Sequence, residues 1–370
     1  MSTSLHRRAT VQTLLFCGIV AVVSTMAAVS VRSFHSPAHV AWVNGSLAKA
    51  FEAHYDDVFP VKRLGVNLWT AIDYALFAEG LPGVVIGRQN WLYTDEEFNV
   101  SDDSTLNIRT NLALIAGVKK KLAARNVTLV IGAVPAKAAI YGEFVARRKP
   151  ARTFGPLYDE LLAGVRAAGI PTVDLRSTLT DGKQQQLTYF RTDTHWTPWG
   201  ARLAATEIAN SVRDTGLLHS SESPYVTRTQ TIRAYRGDLF SFLPLEPLFE
   251  RLLPPQETLT VMKTEAVTSQ NGVAYSSASD LFGDTEVPDV VLVGTSYSAN
   301  TQWNFAGYLK EALGEDIANY AREGTGPFRP MLAYLLSEDF RRKPPRLIIW
   351  EIPERALVVS AGLTRDTRSR

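Results

Sequence analysis

One histidine, one aspartate and one serine are the residues of this chain best placed to do covalent chemistry, and they stand in two short segments. Histidine supply narrows the first. His6, His35, His39 and His54 lie near the N-terminus, which leaves His195 and His219 for the main body, too few for a three-histidine zinc site. His195 stands in Phe190-Arg-Thr-Asp-Thr-His-Trp-Thr-Pro-Trp-Gly200, just before a predicted helix, where loops face a ligand crevice. Asp193 is two residues away, close enough for its carboxylate to accept the imidazole Nδ1–H. Such a bond sets the tautomer, leaves Nε2 to take a proton and stabilises the imidazolium. Taken alone, Asp-x-His also suits a helix-capping aspartate beside a core histidine.

The second segment is Val290-Val-Leu-Val-Gly-Thr-Ser-Tyr-Ser298, which reads as a strand running through Gly294 into a serine at a helix start. Gly294 would allow a tight turn, and the helix N-terminus would offer N–H groups to a developing oxyanion. The arrangement shares the logic of a nucleophile elbow, although Gly-Thr-Ser-Tyr-Ser departs from Gly-x-Ser-x-Gly. Ser296 or Ser298 as a plain helix cap is the alternative. A strand-end serine together with a strand-end Asp-x-His points to acyl transfer through a serine nucleophile, with Ser296, His195 and Asp193 in that order of action.

The elements needed to hold these segments are legible. Val127–Val134 is a continuous β-branched run of the kind buried on both faces in a parallel sheet. Ile170–Leu175, Val287–Val293 and Arg346–Ile352 are further strands. Helices are expected over 104–125, 158–168, 198–214, 299–313 and 328–336, with Thr197 as N-cap, Pro198 at the first helical position and Gly216 as the stop. A hairpin is expected at Val84–Tyr93, and amphipathic helices over 44–80, broken near Pro60. Strands alternating with helices imply an α/β fold with a three-layer, doubly wound parallel sheet. Residues 216–286, rich in Thr and Pro with short alternating runs, read as a β-rich insertion that shapes the cleft.

Residues Val11 to Val31 carry no charge and are long enough to cross a hydrocarbon core of ~30 Å as a helix. Arg7 and Arg8 precede them, so residues 1–10 are expected in the cytoplasm, 11–31 as a single-pass signal anchor, and 32–370 as a catalytic domain outside. A cleaved signal peptide is the alternative reading. Cys17, the sole cysteine, lies in this segment, so thiol chemistry, disulfides and cysteine metal sites are not expected in the exported part. A net charge of +2, without a basic stripe, argues against nucleic acid as partner.

At these residues the chain resembles the SGNH (GDSL-like) hydrolase superfamily with its blocks in permuted order. Starting from Ser296, the Gly324-Thr-Gly326 loop, the strand RLIIWEI, then VTLVIGAVP, IPTVDL and Asp193-Thr-His195 follow in the superfamily's order. It is similar more closely to the alginate O-acetyltransferase group, the AlgJ and AlgX proteins. The matching pieces are Gly87–Tyr93, Pro135-Ala-Lys137 with Tyr141, Asp193–Trp196, Arg236-Gly-Asp-Leu239, Gly294–Ser298, Asn319–Pro327 and Trp350–Arg355. The chain stops soon after Trp350–Arg355, where AlgX continues into a carbohydrate-binding domain, so the expectation leans to AlgJ.

The resemblance implies Ser296 as nucleophile, His195 as base and Asp193 as its orienting partner. It implies acetyl transfer onto hydroxyls of an exported, alginate-like polysaccharide by a protein anchored in the bacterial inner membrane and facing the periplasm. No cofactor or metal is implied. The acetyl group would come from a partner, a membrane-bound O-acyltransferase among other acetylation and export components. The superfamily's oxyanion asparagine has no counterpart in WEIPER, so the backbone N–H groups of Ser296 and Gly324 are the candidates. Tyr297, Trp196, Arg236, Tyr235 and Lys137 are candidate substrate contacts, with Trp199 and Trp303 as further aromatics; for each single aromatic, core packing is the stronger explanation. A carbohydrate O-acetylesterase and a non-catalytic polysaccharide-binding subunit are the alternative functions.

Overall fold

The computed structural model of the chain describes residues 2–36, 45–98, 101–146, 154–217, 224–267 and 288–362. Two compact units emerge, Met1–Glu79 with Leu243–Leu253, and Gly80–Phe242 with Pro254–Arg370. The sequence reading placed no boundary near residue 79.

The first unit is helical. Within α1 (Ser2–Arg32), the span Gln12–Arg32 is long and apolar enough to cross a membrane. Leu14, Leu15, Phe16, Ile19 and Val22 stand exposed on it, a surface suited to hydrocarbon rather than water. The side chains of Arg7 and Arg8 lie outside the described residues. The expected amphipathic helices follow as α2 (Ser46–Val58) and α3 (Pro60–Ile72). They part where Pro60 takes the first helical position, at which its missing N–H leaves no bond unmade.

The second unit opens with the expected hairpin, β1 (Val84–Ile86) and β2 (Leu92–Thr94), before α4 (Ser104–Ala123). Then come β3 (Thr128–Val134), α5 (Lys137–Ile140), α6 (Phe154–Ala167), β4 (Thr172–Asp174), α7 (Leu175–Gly182) and α8 (Pro198–Asp214). An antiparallel ribbon follows, β5 (Tyr225–Tyr235) against β6 (Glu257–Ala266). The chain returns through β7 (Val290–Val293), α9 (Ser296–Ala299), α10 (Phe305–Leu313), β8 (Ile317–Asn319), α11 (Phe328–Leu336), α12 (Glu338–Arg342) and β9 (Leu347–Pro353).

Five of these strands form one parallel sheet in the order β4-β3-β9-β7-β8. Its strands are apolar on both faces, so both must be covered. Val130, Val134, Leu292 and Ile349 pack against α8 and α10 on one side. Leu129, Ile131, Val291, Ile348 and Trp350 pack against α4, α6 and α11 on the other. The three-layer α/β sandwich expected from the sequence is therefore what forms.

Three local features differ from the sequence expectation. The helix expected over 299–313 is broken, because Asn300 caps a short 3-10 turn and Asn304 adopts a left-handed conformation at φ 54° before α10 begins. Strand β8 had too few residues to register as a period, and the run up to Leu175 stops at Asp174, whose carboxylate caps α7 by accepting from Arg176 N–H at 3.0 Å. The described part of the insertion is one long ribbon with 3-10 turns. Residues 218–223, including His219, and 268–287 of the insertion lie outside the described residues.

Thr197 caps α8 as expected, accepting from Gly200 N–H at 3.1 Å, and Gly216 follows with φ 71°. Gly200 also presses on the chain before it. A Cβ there would stand 2.2 Å from the Thr188 carbonyl oxygen, the same oxygen that accepts from Thr197 N–H at 2.9 Å. Helix propensity alone would make Gly200→Ala stabilising by about 1 kcal/mol. The backbone clash should win, since Thr188 cannot turn aside as a side-chain tip can. Chemical denaturation is expected to show a net loss of about 1–3 kcal/mol. A gain in stability would mean the Thr188–Thr197 loop is free to relax.

Candidate active site

The loops at the C-terminal ends of β3, β7 and β9 converge on one side of the sheet, the position where parallel α/β sheets bind ligands. Beyond β7 the chain turns through Gly294 and Thr295 and enters α9 at Ser296. Glu351, fully buried on neighbouring β9, shapes this turn. Its carboxylate accepts from Thr295 N–H at 2.7 Å, from the Thr295 hydroxyl at 3.0 Å and from the Ser298 hydroxyl at 3.0 Å. A Cβ on residue 294 would lie 2.4 Å from Glu351 Oε2, so Gly294 is required by the carboxylate beside it. The sequence reading had assigned that glycine to a tight turn; its φ is not among the positive ones. Burial raises the Glu351 carboxyl above its usual range, against the bonds it accepts from Thr295 and Ser298.

From the other side comes the loop that precedes α8. His195 Nε2 lies 2.7 Å from Ser296 Oγ, and His195 Nδ1 lies 2.7 Å from Asp193 Oδ1. The three residues drawn from the sequence thus form one continuous hydrogen-bonded relay. Asp193 is 1% exposed, and both its oxygens are occupied. Oδ1 also accepts from His195 N–H at 2.8 Å, while Oδ2 accepts from the Tyr235 hydroxyl and from Asp238 N–H at 2.8 Å. Burial would raise the carboxyl, but the bonds and charge of His195, joined by the Tyr235 hydroxyl, overcome it and hold Asp193 at about 2.

The groups that hold this loop explain motifs whose roles the sequence did not disclose. In Arg236-Gly-Asp-Leu239, a Cβ at position 237 would meet the Thr192 carbonyl oxygen at 2.0 Å and Asp193 N at 2.7 Å. Only glycine lets this segment approach closely enough for Asp238 N–H to reach Asp193. The Asp238 carboxylate in turn accepts from Thr194 N–H at 2.8 Å and lies 3.6 Å from His195 Nδ1. Glu257 accepts from the N–H groups of Arg191 and Thr192, both at 2.9 Å. Lys137 is 1% exposed, and its ammonium donates to the carbonyls of Leu92 at 2.5 Å and of Arg191 and Asp193, both at 2.9 Å. Burial lowers its pKa to about 8, with Glu97, Glu257 and Asp193 opposing.

Lys137 therefore serves the loop and is not presented to a ligand. The other proposed contacts divide in the same way. Trp196 and Tyr297 are fully buried and Tyr235 is nearly so; the Tyr297 hydroxyl donates to the Thr194 carbonyl at 2.9 Å, and Arg355 lies over its ring. Trp303 is buried too, its ring 5.5 Å from that of His195. Arg236 is exposed and stacks on Phe240. Two clefts meet at Ser296 and His195. One, of ≈ 560 Å³, is lined by Glu96, Gly324, Gly326, Arg329 and Arg355, which puts Gly324, at φ 68°, in the same cavity as Ser296. The other, of ≈ 570 Å³, is lined by Arg233, Arg236, Gln256, Asn300, Gln302 and Glu323.

Asp193, His195 and Asp238 place three potential ligand atoms within 4.8 Å of one another. A cation there would have to displace donors already bonded to both oxygens of Asp193, so the donor set fits the imidazole better than a metal ion. Such an arrangement has the chemistry to make a serine nucleophilic, through a base whose own orientation is fixed by a buried anion.

Comparison with known proteins gives the same direction. The family model described as "SGNH hydrolase-like domain, acetyltransferase AlgX" matches residues 84–354. The probable alginate O-acetylase AlgJ of Pseudomonas aeruginosa is 49% identical over 337 residues, covering 91% of this chain and 86% of that protein. The alginate biosynthesis protein AlgX of the same organism is 29% identical over 330 residues, 85% of this chain and 62% of that one. Among solved structures, the O-acetyltransferase domain of Pseudomonas putida AlgJ superposes with a TM-score of 0.68 at 39% identity, covering 78% of this chain and 96% of that chain. The chain therefore belongs to the family of SGNH hydrolase-like, AlgX-type acetyltransferase domains, and within it stands nearer to AlgJ than to AlgX.

Proposed function

We propose that this protein is a polysaccharide O-acetyltransferase that carries acetyl groups on Ser296 and delivers them to hydroxyls of an exported, alginate-like polymer. The observation that carries the reading is the Ser296–His195–Asp193 relay, built in a chain of this family and opening on two clefts. The names of the AlgJ relatives supply the alginate assignment.

The first half-reaction begins with the carbonyl of an activated acetyl donor beside Ser296. His195 Nε2 takes the hydroxyl proton as Oγ bonds to the acetyl carbon. The N–H groups of Ser296 and Gly324 are the candidates to meet the oxyanion of the tetrahedral intermediate. As that intermediate collapses, His195 returns the proton to the departing group and Ser296 keeps the acetyl. In the second half, a sugar hydroxyl gives its proton to His195 and attacks the same carbon. Collapse then restores Ser296 Oγ–H and leaves the acetyl on the sugar. Asp193 stays ionised throughout and stabilises the imidazolium that forms twice per turnover. Transfer rather than hydrolysis requires the acceptor hydroxyl to be held closer to Ser296 than water is.

In this reading the apolar helix at 11–31 anchors the protein in the inner membrane, with residues 1–10 in the cytoplasm and 32–370 in the periplasm. A membrane-bound O-acyltransferase would hand over the acetyl group, so that no cofactor need reside in the protein.

Incubating the full chain in detergent with an activated acetyl ester should add one acetyl, mapped to Ser296 and missing from Ser296→Ala. Uronate oligomers should then shorten the lifetime of the adduct and emerge acetylated. If the adduct decays equally fast without acceptor, releasing acetate alone, the esterase reading takes precedence. A well-folded protein that forms no adduct would exclude a serine nucleophile.

Asp193→Asn should lower the rate of acylation by about 10⁴, because the wrong tautomer is then favoured at His195. Stability offers an independent check with a definite sign. The folded carboxyl lies at about 2, below the unfolded value of about 3.9, so its contribution is complete above pH 4 and vanishes as pH falls through about 2. The stability gap between wild type and Asp193→Asn should therefore narrow from pH 4 to pH 2 in urea melts. A gap that stays constant would show that Asp193 is not held as a buried anion.

A further inference from the structure

The clefts at the nucleophile are not the largest recess in this unit. Another, of ≈ 650 Å³, lies between the start of α8 and the β5–β6 ribbon, within the size range of small-molecule sites. Gln256 lines both this recess and the cleft holding Arg233 and Arg236, so the two are neighbours through one side chain. We propose that the recess is a second glycan subsite, which binds acidic sugar residues of the acceptor chain at a distance from the sugar being acetylated. This rests on the reading of the Ser296 site as a polyuronate acetyltransferase.

Three observations support it. The first concerns aromatic surface. Trp196, Tyr235, Tyr297 and Trp303 are buried, whereas Trp199 is partly exposed and lines the recess. Its indole N–H is engaged with the Gly182 carbonyl at 3.2 Å, which fixes the ring as a platform on which a sugar face can rest.

The second is charge. Arg191 and Arg202 both line the recess and are exposed, and neither pairs with a carboxylate among the described residues. Among the described residues the recess holds one acid, Glu257, whose two oxygens already accept from Arg191 N–H, Thr192 N–H and the Thr192 hydroxyl. The guanidinium groups are therefore left to meet an outside anion. At the nucleophile the balance is different, because Glu323, Asp238 and Asp193 stand beside Arg233 and Arg236. Planar guanidinium forks suit the carboxylate of a uronate residue.

The third is the remaining lining. Gln186, Gln256 and Asn90 supply amide donors and acceptors, and Thr229, Thr258 and Thr260 supply hydroxyls, the complement that ring hydroxyls need. A linear polyuronate repeats its carboxylate on every residue, so a subsite removed from the chemistry still recognises it. Such a subsite selects chains over single sugars and keeps the acceptor bound when one hydroxyl has been acetylated.

The test uses the full chain carrying Ser296→Ala in detergent, so that binding is read without turnover, with a uronate disaccharide and a uronate oligomer long enough to occupy both recesses. The oligomer should bind more tightly than the disaccharide, and added salt should weaken its advantage. Adding Arg191→Gln and Arg202→Gln should cut oligomer affinity about 10-fold or more and change disaccharide affinity little. Both side chains are exposed, so the fold should persist, and circular dichroism would confirm it. A charge reversal, Arg202→Glu, should weaken the oligomer further. Equal affinity for both lengths, an oligomer affinity unmoved by these substitutions, or parallel losses for both lengths would each overturn the subsite. Failure of Ser296 to accept acetyl in the unmutated protein would instead strike the catalytic reading, so the two fail separately.

Discussion

A buried carboxylate is tolerated only where its lone pairs are filled, since an unpaired one costs several kcal/mol. At Asp193 the donors that fill them come from separate parts of the chain. They are the backbone and ring of His195, the Tyr235 hydroxyl at the end of the ribbon, and the Asp238 N–H beyond it. The requirement to satisfy one anion therefore ties the loop before α8 to the insertion. It also orients the imidazole, because Nδ1 has no better partner and Nε2 is left facing Ser296. Lys137 and Glu257 extend the arrangement outward by taking the carbonyl and N–H groups of the same loop.

Ser296 is held by a second buried acid of a different kind. Glu351 lies toward the C-terminal end of the central strand, and its carboxylate holds Thr295, just before Ser296, and Ser298, two residues after it. Strand β9 lies between β3 and β7, so it links the turn bearing Ser296 to the strand that leads into Lys137. The register of a parallel sheet is rigid because both faces are packed, and small errors would propagate as a loss of either core. Two loops more than a hundred positions apart in sequence, 101 for His195 and Ser296, can then meet at 2.7 Å. Precision at the site is borrowed from the sheet.

Around that rigid centre, the lining of the two clefts comes largely from the insertion and from loops. Arg233, Arg236 and Gln256 belong to the ribbon and its ends, Arg355 and Gly324 to strand-end loops. Buried acids and a buried lysine set geometry, while Arg233, Arg236 and Gln256 stand exposed along the cleft. This division explains why several aromatic and charged residues quoted in the family-like motifs, such as Trp196 and Lys137, turn out to lie beneath the surface. Close packing can call for a particular residue type as strictly as contact with substrate does.

Much of this was legible in one dimension. Apolar runs of β-branched residues determined which segments became central strands, and Thr197-Pro198 with Gly216 determined where α8 starts and stops, because those signals are local. The pairing of Asp193, His195 and Ser296 was also available from residue type and spacing, although only Ser296 follows a strand; Asp193 and His195, expected at a strand end, stand in the loop that joins α7 to α8. What the sequence could not supply was anything that depends on distance across the fold. Strand β8 was too short for its periodicity to show, and Asn304 broke a helix that composition alone would have continued. Gly294 and Gly237 carried no sign that their missing Cβ atoms make room for Glu351 and for the Thr192–Asp193 backbone. Nor could residue type tell Trp199, partly open to a recess, from Trp196, sealed in the core. Local conformation and apolar period are written residue by residue, whereas burial and hydrogen-bond partnership are properties of pairs, and only the tertiary structure decides which pairs meet.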